Sequence, residues 1–182
     1  MLKVSDRIAG MEVSPTLAMS QKSREMKALG IDVINLSVGE PDFDTPTHIK
    51  AAAIKAMEEG FTKYTPASGI GELKKAICKK LLVENGVSYE TNQIVVSNGA
   101  KHSLTNTFMA ILNPGDEVII PAPFWLSYKQ MVKIADGTPV IVRTQKENNY
   151  KATIEELEAA LMDRTRALLI NSPSNPTGMV YT

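Results

Sequence analysis

Three short stretches carry the residue types best suited to holding a small, flat, negatively charged molecule. In Ser97-Asn98-Gly99-Ala100-Lys101, small residues stand where a strand turns into a helix. Small residues let an anion approach unpaired backbone N–H groups, and the helix dipole favours negative charge there, so a phosphate suits this loop. The same five residues also suit a tight strand-to-helix turn that binds nothing, with Lys101 as a solvated surface lysine. Pro121-Ala122-Pro123-Phe124-Trp125 sets the only tryptophan in a stiff, aromatic loop. Such a loop can stack on a heteroaromatic ring, or Trp125 can simply fill a core or an interface. Asn171-Ser172-Pro173-Ser174-Asn175-Pro176-Thr177-Gly178 combines two prolines with two asparagines. Asn175 can donate to a ligand oxygen; Asn-Pro and Pro-Thr-Gly are equally common turn formers.

The elements between these loops decide whether they meet. The first part of the chain reads as a helix over residues 16–29, stopped by Gly30, and a short strand over 33–36. A helix capped by Thr47 follows and ends near Gly60, with Ile49, Ala53 and Met57 along one face. After the Tyr64–Gly69 loop comes a helix with Leu73, Ala76, Ile77 and Leu81 as its buried stripe, ended by Gly86. The pattern then alternates. Strands are expected at 94–97, 117–121, 139–142 and 167–170, and helices at 101–112, 126–135 and 154–161. Thr153 and Glu156 stand at capping-box spacing before the last helix. The strands are continuous apolar runs, as in strands covered by helices on both faces. The expected fold class is therefore α/β, a three-layer, mainly parallel sheet. In such sheets ligands bind outside the carboxyl ends of the strands, and all three loops follow strands. A boundary near residue 45 would separate an N-terminal arm and partial small domain, 1–45, from the α/β body, 46–182.

Composition narrows the classes. Twenty basic residues balance twenty acidic ones, so no charge excess argues for nucleic acid or an anionic membrane surface. No apolar run reaches the roughly 18 residues of a membrane span, and the first residues lack the apolar core of a secretion signal. Cys78 is the only cysteine, which favours a reducing, cytoplasmic setting and a partly buried structural thiol. His48 and His102 are far apart and lack neighbours at ligand spacing, so no metal is expected. The absence of G-x-G-x-x-G between a strand and a helix argues against a dinucleotide-binding domain.

Together, the three loops resemble consecutive signatures of the fold-type I, class I aminotransferases, which depend on pyridoxal 5'-phosphate. Ser37-Val38-Gly39-Glu40-Pro41-Asp42-Phe43 resembles the family's N-terminal glycine loop, and Tyr64-Thr65-Pro66-Ala67-Ser68-Gly69-Ile70-Gly71-Glu72-Leu73 its tyrosine-plus-glycine motif. The nearest subgroup is the bacterial-type aspartate aminotransferases. The resemblance implies that N–H groups around Gly99, Ala100 and Lys101 hold the cofactor phosphate and that Trp125 stacks on the pyridine ring. Asn175 would donate to the ring's phenolic oxygen. Gly39, with Trp125 and Asn175, would meet the substrate carboxylate. Tyr64 would reach across a two-fold interface to the phosphate of the partner's cofactor, implying a homodimer. Ser14-Pro15-Thr16 falls on the arm near the substrate side chain, although a helix N-cap also explains Thr16. Cis peptides are implied before Pro123 and Pro176. The implied substrates are an amino acid, aspartate foremost, and a 2-oxo acid.

In that family the Schiff-base lysine, the aspartate on the pyridine nitrogen and the arginine on the substrate carboxylate all follow the asparagine loop. The chain ends at Thr182, so a truncated large domain without catalytic residues, inactive alone and with an unpaired sheet edge, is expected. A non-catalytic fragment, or a regulatory or dimerisation module on the same scaffold, is the alternative.

Overall fold

The computed structural model describes residues 3–11, 15–37 and 39–182. Ser14 of the expected arm and Val38 of the expected glycine loop lie outside them. The contacts divide the chain into two units: residues up to 11 together with 98–182, and residues 15–97. No helix among the described residues is long and apolar enough to cross a membrane.

The first unit holds α1 (Asp6–Ala9), α5 (Ala100–Ile111), β1 (Glu117–Ala122), α6 (Ser127–Ile134), β2 (Thr138–Arg143), α7 (Ile154–Ala159) and β3 (Thr165–Leu168). The second holds α2 (Pro15–Ala28), α3 (Thr47–Glu58) and α4 (Gly71–Asn85). The sheet is parallel in the order β2-β1-β3, so the expected α/β class holds. The central strand is the most apolar, and Val118, Ile119, Ile120 and, from α6, Val132 are essentially inaccessible. Val118 and Ile120 join Phe108, Leu112, Tyr128 and Met131 in one core cluster built from β1, α5 and α6. Dropping any of these from water contributes roughly 1.5–3 kcal/mol per side chain before entropy is counted.

Local rules explain the placement of two prolines. Pro139 lies in an edge strand, where a missing donor is tolerated. The Ile119 carbonyl accepts from Leu169 N–H at 2.9 Å on the β3 side. Two residues on, Pro121 faces that same side beyond the last β1–β3 pair, Ile119–Leu168, and leaves no ladder bond unmade. That Leu169 bond also carries β3 pairing past the ladder, which starts at Thr165, two residues earlier than the expected 167–170 strand.

The turn before β1 is held from within. Asp116, buried, accepts from the Asn113 backbone N–H at 2.8 Å and lies 3.5 Å and 3.7 Å from Arg166 and Arg164. The capping box before α7 forms as expected: Thr153 N–H donates to Glu156 Oε2 at 2.9 Å, and Glu156 N–H to Thr153 Oγ1 at 3.2 Å.

Other expectations need correction. Residues 33–36 and 94–97 form no ladder among the described residues, because a strand exists only with a hydrogen-bonded neighbour. Val96 N–H donates instead to Ser68 O at 3.0 Å, tying 94–97 to the Tyr64–Gly69 loop. Thr47 does not cap α3; Pro46 stands at that position, and no side chain caps the helix. The stripes of α3 and α4 are not buried either: Leu73 is 42% and Met57 61% exposed. In the second unit, α4 meets the 3₁₀ turn Thr91–Gln93.

Candidate active site

The sheet brings two of the three loops together directly. Pro123 and Phe124, after β1, and Asn171 and Asn175, after β3, line a single recess that Tyr128 and Tyr150 also border. The peptide bonds before Pro123 and Pro176 are cis, as the resemblance implied, and so is the bond before Pro173. Asn175 N–H donates to Asn171 Oδ1 at 2.7 Å, so Asn171 fixes the backbone of the residue expected to face a ligand. The side-chain amide of Asn175 is exposed and makes no hydrogen bond among the described residues. Tyr128 is buried against this recess, and burial pushes its phenol above the ordinary 10.0.

The remaining loop joins through a side chain. Lys101 Nζ lies 4.9 Å from the centroid of the Trp125 ring, within cation–π range. Trp125 is half-buried, packs against the core cluster and meets Tyr128 edge to face at 5.5 Å. Core packing and site membership are therefore one arrangement for this residue. Its ring is held by the core on one part and presented to Lys101 on another.

Gly99 caps α5 with φ +82°, a left-handed backbone that favours glycine, and a Cβ there would meet nothing within 4 Å. The N-cap therefore has no side chain to satisfy the first turn, and that turn holds no acidic residue. His102 N–H and Ser103 N–H donate to Gly99 O at 3.1 and 3.2 Å. The N–H groups of Gly99, Ala100 and Lys101 donate to nothing among the described residues. Three open donors at the positive end of a 12-residue helix, with a lysine ammonium nearby, fit a phosphate.

Gly39 and Tyr64 belong to the second unit and are exposed there, Tyr64 completely. The backbone leading to Gly39 is pinned at Ser37, whose N–H and Oγ both donate to Asn35 Oδ1, at 3.0 and 2.6 Å. The Ser20 hydroxyl lies 3.1 Å from Ser37 Oγ. Asn171, Tyr128 and Tyr150 were not singled out in the sequence. Asn171 carried a signal, standing four residues before Asn175 in a proline-stiffened loop; the tyrosines carried none.

A parallel sheet with an open helix N-terminus, an aromatic loop and an asparagine loop defines an α/β scaffold of the kind that binds ligands at the carboxyl ends of its strands. Residues 31–182 match the family described as aminotransferase class I and II, and the chain belongs to that family. Its members use pyridoxal phosphate. The chain is 53% identical over 179 residues to an aspartate aminotransferase of Bacillus sp. (strain YM-2), covering 98% of this chain and 46% of that protein. It is 54% identical over 179 residues to an aspartate/prephenate aminotransferase of Cereibacter sphaeroides, covering 98% of this chain and 45% of that protein. Among solved structures, the aspartate aminotransferase from Thermus thermophilus with maleate matches at a TM-score of 0.96 and 45% identity, covering all of this chain and 48% of that one. The chain thus spans about half the length of the relatives it matches.

Proposed function

We propose that the intact protein moves an amino group between an amino acid, aspartate foremost, and a 2-oxo acid, with pyridoxal phosphate as cofactor. The observation that carries this reading is the set of open N–H groups at Gly99, Ala100 and Lys101, with the Lys101 ammonium over the Trp125 ring. In this reading those N–H groups hold the cofactor phosphate, Trp125 supports the pyridine ring, and the free amide of Asn175 donates to its phenolic oxygen. Gly39 presents its backbone to the substrate carboxylate, together with Trp125 and Asn175. Tyr64, with nothing covering it, reaches a second copy in a homodimer. Residues 1–45 serve as arm and part of a small domain, and residues 46–182 begin the cofactor-binding large domain.

When bound, pyridoxal phosphate supplies an electron sink for the pair left on the substrate α-carbon as its proton is removed. The chain's own contribution is to anchor, orient and shield. The phosphate anchor fixes distance, the Trp125 loop fixes the ring plane, and Asn175 favours the anionic form of the phenolic oxygen. Aspartate is favoured by the names of the relatives, one of which was solved with maleate, a four-carbon dicarboxylate. The lysine, aspartate and arginine that the resemblance places beyond the asparagine loop are not among these residues, so the 182-residue chain alone is expected to transfer nothing.

The test uses the intact protein and the 182-residue chain side by side. With pyridoxal phosphate, the intact protein should develop a visible absorbance band that moves on adding aspartate, and should convert 2-oxoglutarate to glutamate. The short chain should do neither. An intact protein that binds the cofactor yet leaves every amino acid untouched would favour the non-catalytic module, and one that forms no band would sink the reading.

A further inference from the structure

His102 is the third residue of α5, and its side chain is exposed. It nevertheless makes two bonds to the loop before the helix. Its backbone N–H donates to Gly99 O at 3.1 Å, and its Nδ1 accepts from Asn98 N–H, also at 3.1 Å. The pair holds the Asn98–Gly99 segment onto the first helical turn from both sides. In an ordinary capping box, the third helical side chain accepts from the N-cap N–H. Here the acceptor reaches one residue further out, to Asn98 N–H, and the N-cap N–H of Gly99 stays open. An imidazole nitrogen that accepts in this way acts through its lone pair, so Nδ1 is the acceptor of the ring and Nε2 faces away from this bond.

This bond sorts the donors of the loop. Asn98 N–H is consumed by His102, and Gly99, Ala100 and Lys101 N–H stay open. We infer that His102 is a positioning residue for the phosphate loop: through Nδ1 it holds Asn98 so that the next three N–H groups remain presented to one anion. The inference rests on the cofactor-phosphate reading of that loop. Without the Nδ1 acceptor, Asn98 N–H turns to water or competes for the anion, and the left-handed Gly99 backbone loses its outer restraint. Phe108, buried further along the same helix, anchors α5 in the core independently of His102.

The experiment compares binding of pyridoxal phosphate and of pyridoxal, which lacks the phosphate, by equilibrium dialysis on the intact protein. His102→Leu removes the acceptor. His102→Asn keeps one, since its Oδ1 hangs on Cγ as Nδ1 does, and His102→Ala controls for side-chain bulk. Wild type should prefer pyridoxal phosphate. His102→Leu and His102→Ala should lose about tenfold in affinity for it, the scale of one hydrogen bond, with pyridoxal affinity unchanged. His102→Asn should stay within about twofold of wild type. Equal loss for both ligands, no loss for either, or an Asn variant as weak as Leu would each overturn the positioning role. A wild type that binds the two ligands alike fails differently, removing the phosphate reading and this role with it.

Discussion

Residues 98–182 and residues 15–97 both carry amphipathic helices, yet only the first region converts them into a core. Every buried hydrophobic residue among those described lies between Phe108 and Val142. In the second region the buried positions are two serines, Ser20 and Ser23, while Ile34, Leu36 and Phe43 are 85–90% exposed. The helices differ in part, α6 being more strongly amphipathic than α2, α3 or α4. The sheet differs too: β1, paired on both sides, offers α5 and α6 a continuous apolar surface, whereas the unit of α2, α3 and α4 contains no strand among the described residues. The comparison shows that an apolar stripe is a request for a second surface, and that burial depends on whether the chain supplies one.

The sharpest way to break this comparison is a matched pair of truncations in the 182-residue chain. Ile120→Ala removes a fully buried side chain and should cost about 3 kcal/mol in urea unfolding. Leu73→Ala, in the exposed stripe of α4, should cost less than about 1 kcal/mol. Equal losses would mean that the second region is covered in solution as fully as the first.

A smaller effect probes what order the second region does have. A Cβ added at Gly69, whose φ is +103°, would meet Val96 Cγ2 at 2.5 Å and Cβ at 2.8 Å. Gly69→Ala should therefore cost about 2–3 kcal/mol. Gly60→Ala, at φ +77° with nothing within 4 Å, should cost about 1 kcal/mol from backbone strain alone. Indistinguishable melting of the two variants would remove the close approach of the Tyr64–Gly69 loop to Val96.

The smallest effect concerns the first region's acid limit. The Asn113 N–H, foremost, and then the Asn113 amide, Arg166 and Arg164 hold the Asp116 carboxyl below its ordinary 3.8, against the opposing effect of burial. Because the folded value is the lower one, this stabilisation is complete above 3.8 and drains away as pH falls through the folded value. Asp116→Asn should lower Tm above about pH 5, where this stabilisation is complete, and converge on wild type as pH falls below 3.8, leaving a flatter acid limb. An unchanged acid limb would assign the loss to other carboxylates.

Legibility in the sequence followed the range of the interaction. The Thr153–Glu156 capping box, the end of α4 at Gly86 and the Gly99 turn were all readable, because each bond closes within about four residues. The three site loops were readable as types, since glycine, proline and asparagine restrict or free the backbone wherever they stand. The strand at 94–97 and the buried stripe of α4 were misread for the opposite reason. Their apolar patterns are real, but a ladder and a core each need a partner that local sequence does not specify.

The sequence by itself determined where helices stop, which run of residues is apolar enough for a central strand, and which loops offer donors, a ring and an amide. Tertiary structure alone decided that Lys101 lies over Trp125, that Pro123 and Asn175 border one recess, and that Val118, Ile119 and Ile120 vanish from solvent while Leu73 does not. Capping and turn formation are settled by hydrogen bonds between near neighbours. Burial and site assembly are settled only when distant surfaces meet, and their energy exists only once they do.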